Sequence, residues 1–311
     1  MSEHFIRNIE IRNFKCFENF SAEGFGHVNL VGGKNNVGKT AFMEACYTNI
    51  FSHESLDTPS MALSDIIMLR YNQVILQDLL LEKGKTYIAK EIERKILEFN
   101  HSKITSNIQD ITCNYQKEDL GLRDKKHLRK YFLGSTKVTN DKLEEAYGSI
   151  LEQEMEDRID ALLKKVDSNI KSFRIINSEP KCNFLNNSTF ISIHELGDGF
   201  YKYLSILFSI VICRNSYLFI DEIENGIHYT NLDKLWEIIL TLSREQNVQV
   251  FATTHSKECI ESYARVAKKL NDKDITYTVL TKLKDGSIDA GVYDSNMFIN
   301  TIEQEHEVRG W

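Results

Sequence analysis

Residues 31–40, VGGKNNVGKT, constrain this chain more than any other stretch, because they hold the spacing GxxxxGK[ST] with Gly33, Gly38, Lys39 and Thr40 in the fixed places. The apolar run HVNLV precedes the string and the helix-like KTAFMEACYTNIF follows it, which is the setting a phosphate-binding loop requires. A backbone that wraps a triphosphate must turn its N–H groups inward, and such turns need residues that tolerate positive φ. Glycine does so freely and asparagine at modest cost. On this reading Gly33, Lys34, Asn35, Asn36, Val37 and Gly38 form the cradle, and the helix running on through Ala41 offers its unpaired N–H groups and dipole. Lys39 reaches the β- and γ-phosphates, and Thr40 ligates Mg²⁺. A chance glycine-rich turn is the alternative, and the flanking strand and helix weigh against it.

Composition narrows the remaining classes. With 311 residues, 42% of them hydrophobic, the chain has room for about two domains and ample material for a core. No apolar run approaches the roughly 20 residues of a membrane span, and MSEHFIRNIEIRNF lacks the regions of a signal peptide. The expectation is a cytoplasmic protein that does not itself enter a membrane. Six scattered cysteines without a CxxC pair fit reduced thiols better than a disulfide frame or a zinc site. A formal charge of −7 argues against coating nucleic acid over the whole surface, although a local basic patch stays open.

Periodicity predicts an α/β chain whose mixed sheet has an antiparallel part and a helical arm insertion. Three segments are expected: 1–117 with the phosphate loop and antiparallel strands, 118–180 as the arm, and 181–311 as the second half of the core. The first 51 residues read as strand, turn, strand, loop, helix. Residues 86–115 alternate in stretches such as TYIAKEI and NIQDITCNY and read as antiparallel strands. Met155, Ile159, Leu162, Val166, Ile170 and Phe173 recur at steps of three and four, which predicts one long amphipathic helix. It packs its stripe on the body or on a second copy. Pro180 marks the passage from that helix toward the strand-like STFISI.

The second half alternates strand and helix, the pattern of a mostly parallel sheet. SYLFIDE is an apolar run that ends in two acids. At the carboxyl end of a buried strand beside a phosphate loop, Asp221 would hold Mg²⁺ and Glu222 would polarise the attacking water. After the helix YTNLDKLWEIILTLSRE, the strand VQVFATT ends at His255. A histidine there can donate to a phosphate oxygen at neutral pH, and a purely structural role is the alternative.

Taken in order, these parts resemble the ABC-class P-loop ATPases, in the branch of RecF, SMC and overcoming-lysogenisation-defect (OLD-like) proteins. The resemblance spans nearly the whole chain. IRNIEIRNFKCFENF is similar to the opening of that group, GGKNNVGKT has the Asn-Asn form of OLD-like members, and HELGDGFYKYLSI looks like the signature segment. LFIDEIENGIHY looks like the Walker B and D-loop stretch, TTHS like the switch-histidine loop, and INTIEQEHEVRGW like the tails of the group. The resemblance implies ATP hydrolysis in a head-to-tail homodimer, with Gly197, Asp198 and Gly199 of one subunit completing the other's site. Gly197 stands where the commoner LSGGQ form has serine. The stretch after His255 is too short for the Toprim nuclease domain of many OLD-like proteins, so nuclease activity is not expected.

Three functions stay open at this level. The first is a dimerising ATPase switch of phage-defence type that acts with a separate effector. The second is a RecF-like DNA-repair or DNA-end-binding ATPase, for which RDKKHLRK (residues 123–130) could meet phosphates. The third is a non-catalytic ATP-binding interaction protein, against which Glu222 speaks. Glu224, Asn225 and His228 are expected at the subunit contact or in packing, and Gln73 or Gln77 could link Mg²⁺ to moving parts.

Overall fold

The structure, a computed structural model, describes residues 5–54, 111–115, 131–133, 138, 140–187 and 189–304. The chain begins with β1 (Ile6–Phe14), β2 (Phe17–Glu23), β3 (Val28–Gly33) and α1 (Lys39–Glu54). It continues with β4 (Ile111–Tyr115), β5 (Tyr131–Leu133), α2 (Asn140–Glu152), α3 (Glu156–Val166), β6 (Ile170–Ile176), β7 (Glu179–Phe184) and β8 (Phe190–Ser192). Then follow α4 (Asp198–Ile212), β9 (Tyr217–Ile220), α5 (Leu232–Glu245), β10 (Gln249–Thr253), α6 (Lys257–Leu270), β11 (Ile275–Lys282), β12 (Ile288–Asp294) and α7 (Ser295–Glu303).

Leu218 to Ile220, and Val250 to Ala252, are apolar without interruption and fully buried, as strands covered on both faces must be. They form the middle of a six-stranded sheet in the order β12-β11-β3-β10-β9-β5. The neighbours β11-β3, β3-β10, β10-β9 and β9-β5 are parallel, and β12 alone runs antiparallel, against β11. On one face lie α1 and the sheet β2-β1-β4, around an aromatic cluster in which Phe219 stacks on Phe251 at 5.5 Å between centroids. On the other face, the helices α2 to α7 pack around Trp236, Tyr263 and Phe208. The buried Gln249 joins the two sheets: its carboxamide accepts from the Ile6 N–H at 2.7 Å and donates to the Ile6 and Gly26 carbonyls, both at 2.8 Å.

Several local expectations change. The N-terminal part holds three strands before α1, because the opening hairpin β1-β2 belongs to a separate sheet and β3 to the central one. Tyr131–Leu133, inside the stretch expected as charged helix, is a strand parallel to β9, and the Leu133 carbonyl accepts from the Asp221 N–H at 2.8 Å. The long helix expected from Met155 to Phe173 is instead α3 followed by a turn and β6. Asp167 ends the helix in extended conformation, and its carboxylate accepts the Asn169 N–H at 2.9 Å, a local bond that competes with helix continuation. The helical spacing persists into the strand because β6 is irregular between Ile170 and Ser172. A bulge shifts the alternation by one, so Ile170 and Phe173 are both buried although three residues apart. Pro180 lies inside β7 at its start, opposite Ile175 of β6 and just before the Lys181 to Asn183 stretch that pairs with β8. The stripes of α2 and α3 (Leu143, Ala146, Ile150, Ile159, Leu162 and Leu163) pack on the body, in the same core as the sheet. Of the expected strands at 86–115, only β4 falls among the described residues; the basic cluster 123–130, Gln73 and Gln77 lie outside them.

Candidate active site

The carboxyl ends of β3, β10 and β9 lie side by side, and the sequence delivers a loop with chemistry at each. At β3, Gly33 has φ of +141°, Asn36 +60° and Gly38 +98°, the positive values that the glycines and asparagine accommodate. Side chains at the glycines would also collide. A Cβ on Gly33 would stand 2.7 Å from the Leu280 carbonyl oxygen, one on Gly38 2.8 Å from the Cys16 Sγ, and one on Gly32 2.1 Å from the Tyr277 hydroxyl. Lys34, Asn35 and Asn36 are exposed, while Val37 and Ala41 are buried and anchor the loop on the aromatic face.

Lys39 opens α1, and its ammonium donates to the Gly33 and Lys34 carbonyls, each at 2.8 Å. Burial pushes it below the usual lysine range, with Asp221, Glu224 and Glu222 pulling it partly back. Thr40 donates through Oγ1 to the Asp221 carboxylate, 3.1 Å from Oδ2 and 3.3 Å from Oδ1. Asp221 follows β9 directly and accepts a second hydroxyl, that of Thr253 at the end of β10, at 2.6 Å. The same Thr253 Oγ1 accepts the Glu222 N–H at 2.9 Å. Glu222 holds a φ of +48°, an uncommon conformation for a side-chain-bearing residue that bends the chain out of the strand at the acidic pair. Asn225 donates to Glu222 Oε2 at 2.5 Å.

His255 is half exposed; its backbone N–H donates to Glu224 Oε1 at 3.0 Å and its Nδ1 lies 3.2 Å from the same oxygen. The signature segment stands at the start of α4. Gly197 caps the helix with φ of +88°, and Gly197 and Asp198 are exposed.

The structure thus brings together the phosphate loop, Thr40, Asp221, Glu222 and His255. Two participants carry no sequence signal of their own: Thr253, which lies in the TTHS string beside the histidine, and Lys202 of α4, which has Asp221, Glu222 and Glu224 as charged neighbours. Asn225 and Glu224, expected at the subunit contact or in packing, act on Glu222 and His255 within the same chain. His228 stays exposed, its Nδ1 2.9 Å from the Thr230 hydroxyl as it caps a short turn.

These residues fit a magnesium nucleotide. Two cis ligands of an octahedral cation with bonds of about 2.0–2.1 Å lie about 2.9 Å apart, close to the Thr40 to Asp221 separation of 3.1 Å. Among the described residues no group of three or more His, Cys, Asp or Glu side chains could hold a metal alone, and Mg²⁺ ordinarily draws its remaining ligands from phosphates and water.

A parallel sheet with a phosphate loop at β3 and acids at the end of β9 defines a P-loop ATPase. The chain belongs to the family described as "AAA domain, putative AbiEii toxin, Type IV TA system", whose profile matches residues 28–261. It is 24% identical to an "ATP/GTP phosphatase" of Helicobacter pylori, over 88% of this chain and 90% of that one. It is also similar to the SMC head domain of Thermotoga maritima, with a TM-score of 0.50 and 12% identity over 92% of this chain and 98% of the other. Among the described residues no helix is long and apolar enough to cross a membrane.

Proposed function

We propose that the protein is an ATP-hydrolysing switch that closes as a head-to-tail homodimer and acts through a separate effector, as in phage defence. The observation that carries the reading is the convergence of Thr40, Asp221, Thr253 and Glu222 at the ends of three adjacent parallel strands. The Helicobacter pylori relative's name, which describes nucleotide phosphatase action, supports the hydrolytic part.

In this reading the cradle from Gly33 to Ala41 and the Lys39 ammonium hold the β- and γ-phosphates. Thr40 and Asp221 hold Mg²⁺, which when bound supplies positive charge against the phosphate oxygens. Glu222 takes a proton from the attacking water at Oε1 while Asn225 steadies Oε2. The water oxygen bonds to the γ-phosphorus as its bond to the β-bridging oxygen breaks. Glu224 lies against Nδ1 and accepts from it, which leaves Nε2 to face the γ-phosphate; Nε2 donates there when the ring carries both protons. Gly197 to Gly199 of the second subunit close the site from above with the positive end of α4.

The test is ATP turnover per subunit over a range of protein concentrations, with and without short duplex DNA, beside sedimentation of Glu222→Gln with ATP. A rate per subunit that climbs with concentration and an ATP-stabilised Glu222→Gln dimer are expected. A monomeric Glu222→Gln in saturating ATP refutes the dimer, wild-type turnover by that variant refutes the base, and stimulation by DNA replaces the effector reading with the DNA-end-binding one.

A further inference from the structure

Glu224 and Lys202 are charged side chains on elements that touch; ATP hydrolysis as described gives Lys202 no task and uses only one of the two Glu224 oxygens. The Glu224 side chain is 11% exposed. One of its oxygens holds His255 by backbone and ring, and the other, Oε2, is buried with no hydrogen-bond partner. A buried carboxylate oxygen with nothing to accept is destabilising, so the hold on His255 explains Oε1 but not the second oxygen of a glutamate here. Lys202 lies three residues beyond Gly199, in the first turns of α4. Burial pushes its ammonium below the usual lysine range, and the opposing pull comes first from Glu224, then from Asp221 and Glu222. The elements that carry the two side chains touch: a Cβ on Gly199 would stand 3.0 Å from the Gly226 carbonyl oxygen.

We propose that Lys202 and Glu224 are positioning residues that link the two nucleotide sites of the dimer. The link rests on the head-to-tail reading above. In that arrangement the start of α4 serves the nucleotide held by the partner, whereas His255 serves the nucleotide held by its own subunit. Lys202 rides on the first and Glu224 grips the second. When α4 engages the partner's γ-phosphate, Lys202 moves against Glu224 Oε2, and Glu224 carries that displacement to His255. One site thereby senses whether the other is filled.

The test uses the full chain as wild type, Lys202→Met, Lys202→Arg, Glu224→Gln and the double variant Lys202→Met/Glu224→Gln. Steady-state turnover yields kcat and the Hill coefficient for ATP, and fluorescence titration yields the Kd for ATPγS. Melting temperatures within a few degrees of wild type establish folding, and Lys202→Gln replaces Lys202→Met if the latter does not fold. Wild type is expected to show a Hill coefficient above 1. Lys202→Met should lower kcat at least tenfold and bring the Hill coefficient to 1, with the Kd for ATPγS within about threefold. The double variant should be no slower than the slower single variant, and Lys202→Arg should recover most of the rate. Wild-type kcat and Hill coefficient in Lys202→Met overturn the link, as do losses that multiply in the double variant. A tenfold weaker Kd in Lys202→Met overturns it too, by making Lys202 a direct nucleotide contact. If Glu222→Gln stays monomeric in saturating ATP, the dimer reading fails and takes the intersite link with it. The double-variant comparison then reports only the contact within one chain.

Discussion

Replacing Thr253 by valine removes one oxygen and leaves the shape of a buried side chain almost unchanged. That oxygen makes two bonds, donating to Asp221 Oδ1 at 2.6 Å and accepting from the Glu222 N–H at 2.9 Å, and Thr253 is fully buried. A hydrogen bond to a charged group is worth about 1.5–3 kcal/mol and a neutral one about 1 kcal/mol, so the expected loss is about 2.5–4 kcal/mol. For a chain of this size that is a fall in melting temperature of roughly 4–6 °C, readable by scanning calorimetry in the absence of nucleotide. Turnover should fall as well, because the same oxygen fixes both acids relative to the phosphate loop; a tenfold loss corresponds to about 1.4 kcal/mol at the barrier. Thr253→Ser keeps the hydroxyl and should recover most of both. If Thr253→Val melts within 1 °C of wild type and turns over at the wild-type rate, the account of how the acidic pair is held is wrong.

Other substitutions probe other parts of the same argument. Gly33→Ala brings a methyl group to 2.7 Å from the Leu280 carbonyl at a φ of +141°, so binding of ATP, followed by titration with a fluorescent analogue, should weaken more than tenfold. Gly32→Ala drives a methyl group into the Tyr277 hydroxyl, and overpacking of this kind costs about 1–3 kcal/mol; urea denaturation should show it. Asn225→Ala frees the Glu222 carboxylate and should lower kcat several-fold while leaving the affinity for ATPγS unchanged. Asp160→Ala removes the buried acceptor of the Phe173 N–H (2.7 Å) and of Arg174 (3.0 Å), which should lower stability by about 2–4 kcal/mol without changing turnover per folded molecule.

The phosphate loop was legible because its information is local. Gly33, Gly38, Lys39 and Thr40 lie within eight residues, and a strand and a helix must flank them. Asp221, Glu222 and His255 were legible at one remove, since a buried strand in a P-loop protein delivers its last residues to the same edge of the sheet. Thr253 and Lys202 were not, and Asn225 and Glu224 were legible only as members of the stretch after the acidic pair, because the contacts they make arise from proximity that neither spacing nor composition encodes. Lys202 is the single lysine of a helix that is buried from Tyr203 to Val211, and in the sequence it looks like an ordinary boundary residue. The overlong helix has a definite cause: the bulge in β6 places Ile170 and Phe173 on one face at a spacing that imitates a helical turn. Tyr131–Leu133 is too short for periodicity to register, and only the neighbouring β9 makes it a strand.

The strand that carries the phosphate loop has an unusual place in the order of synthesis. β3 ends at Gly33, yet its two neighbours in the sheet are β10 (Gln249–Thr253) and β11 (Ile275–Lys282). A chain emerging from the ribosome makes the loop long before either of the two walls beside it. Contacts of such sequence separation form slowly, and domains fold as units during translation. The walls of the nucleotide site are therefore assembled late: a nascent or truncated chain that stops short of β10 carries the whole phosphate-loop motif and neither of the two strands that flank it.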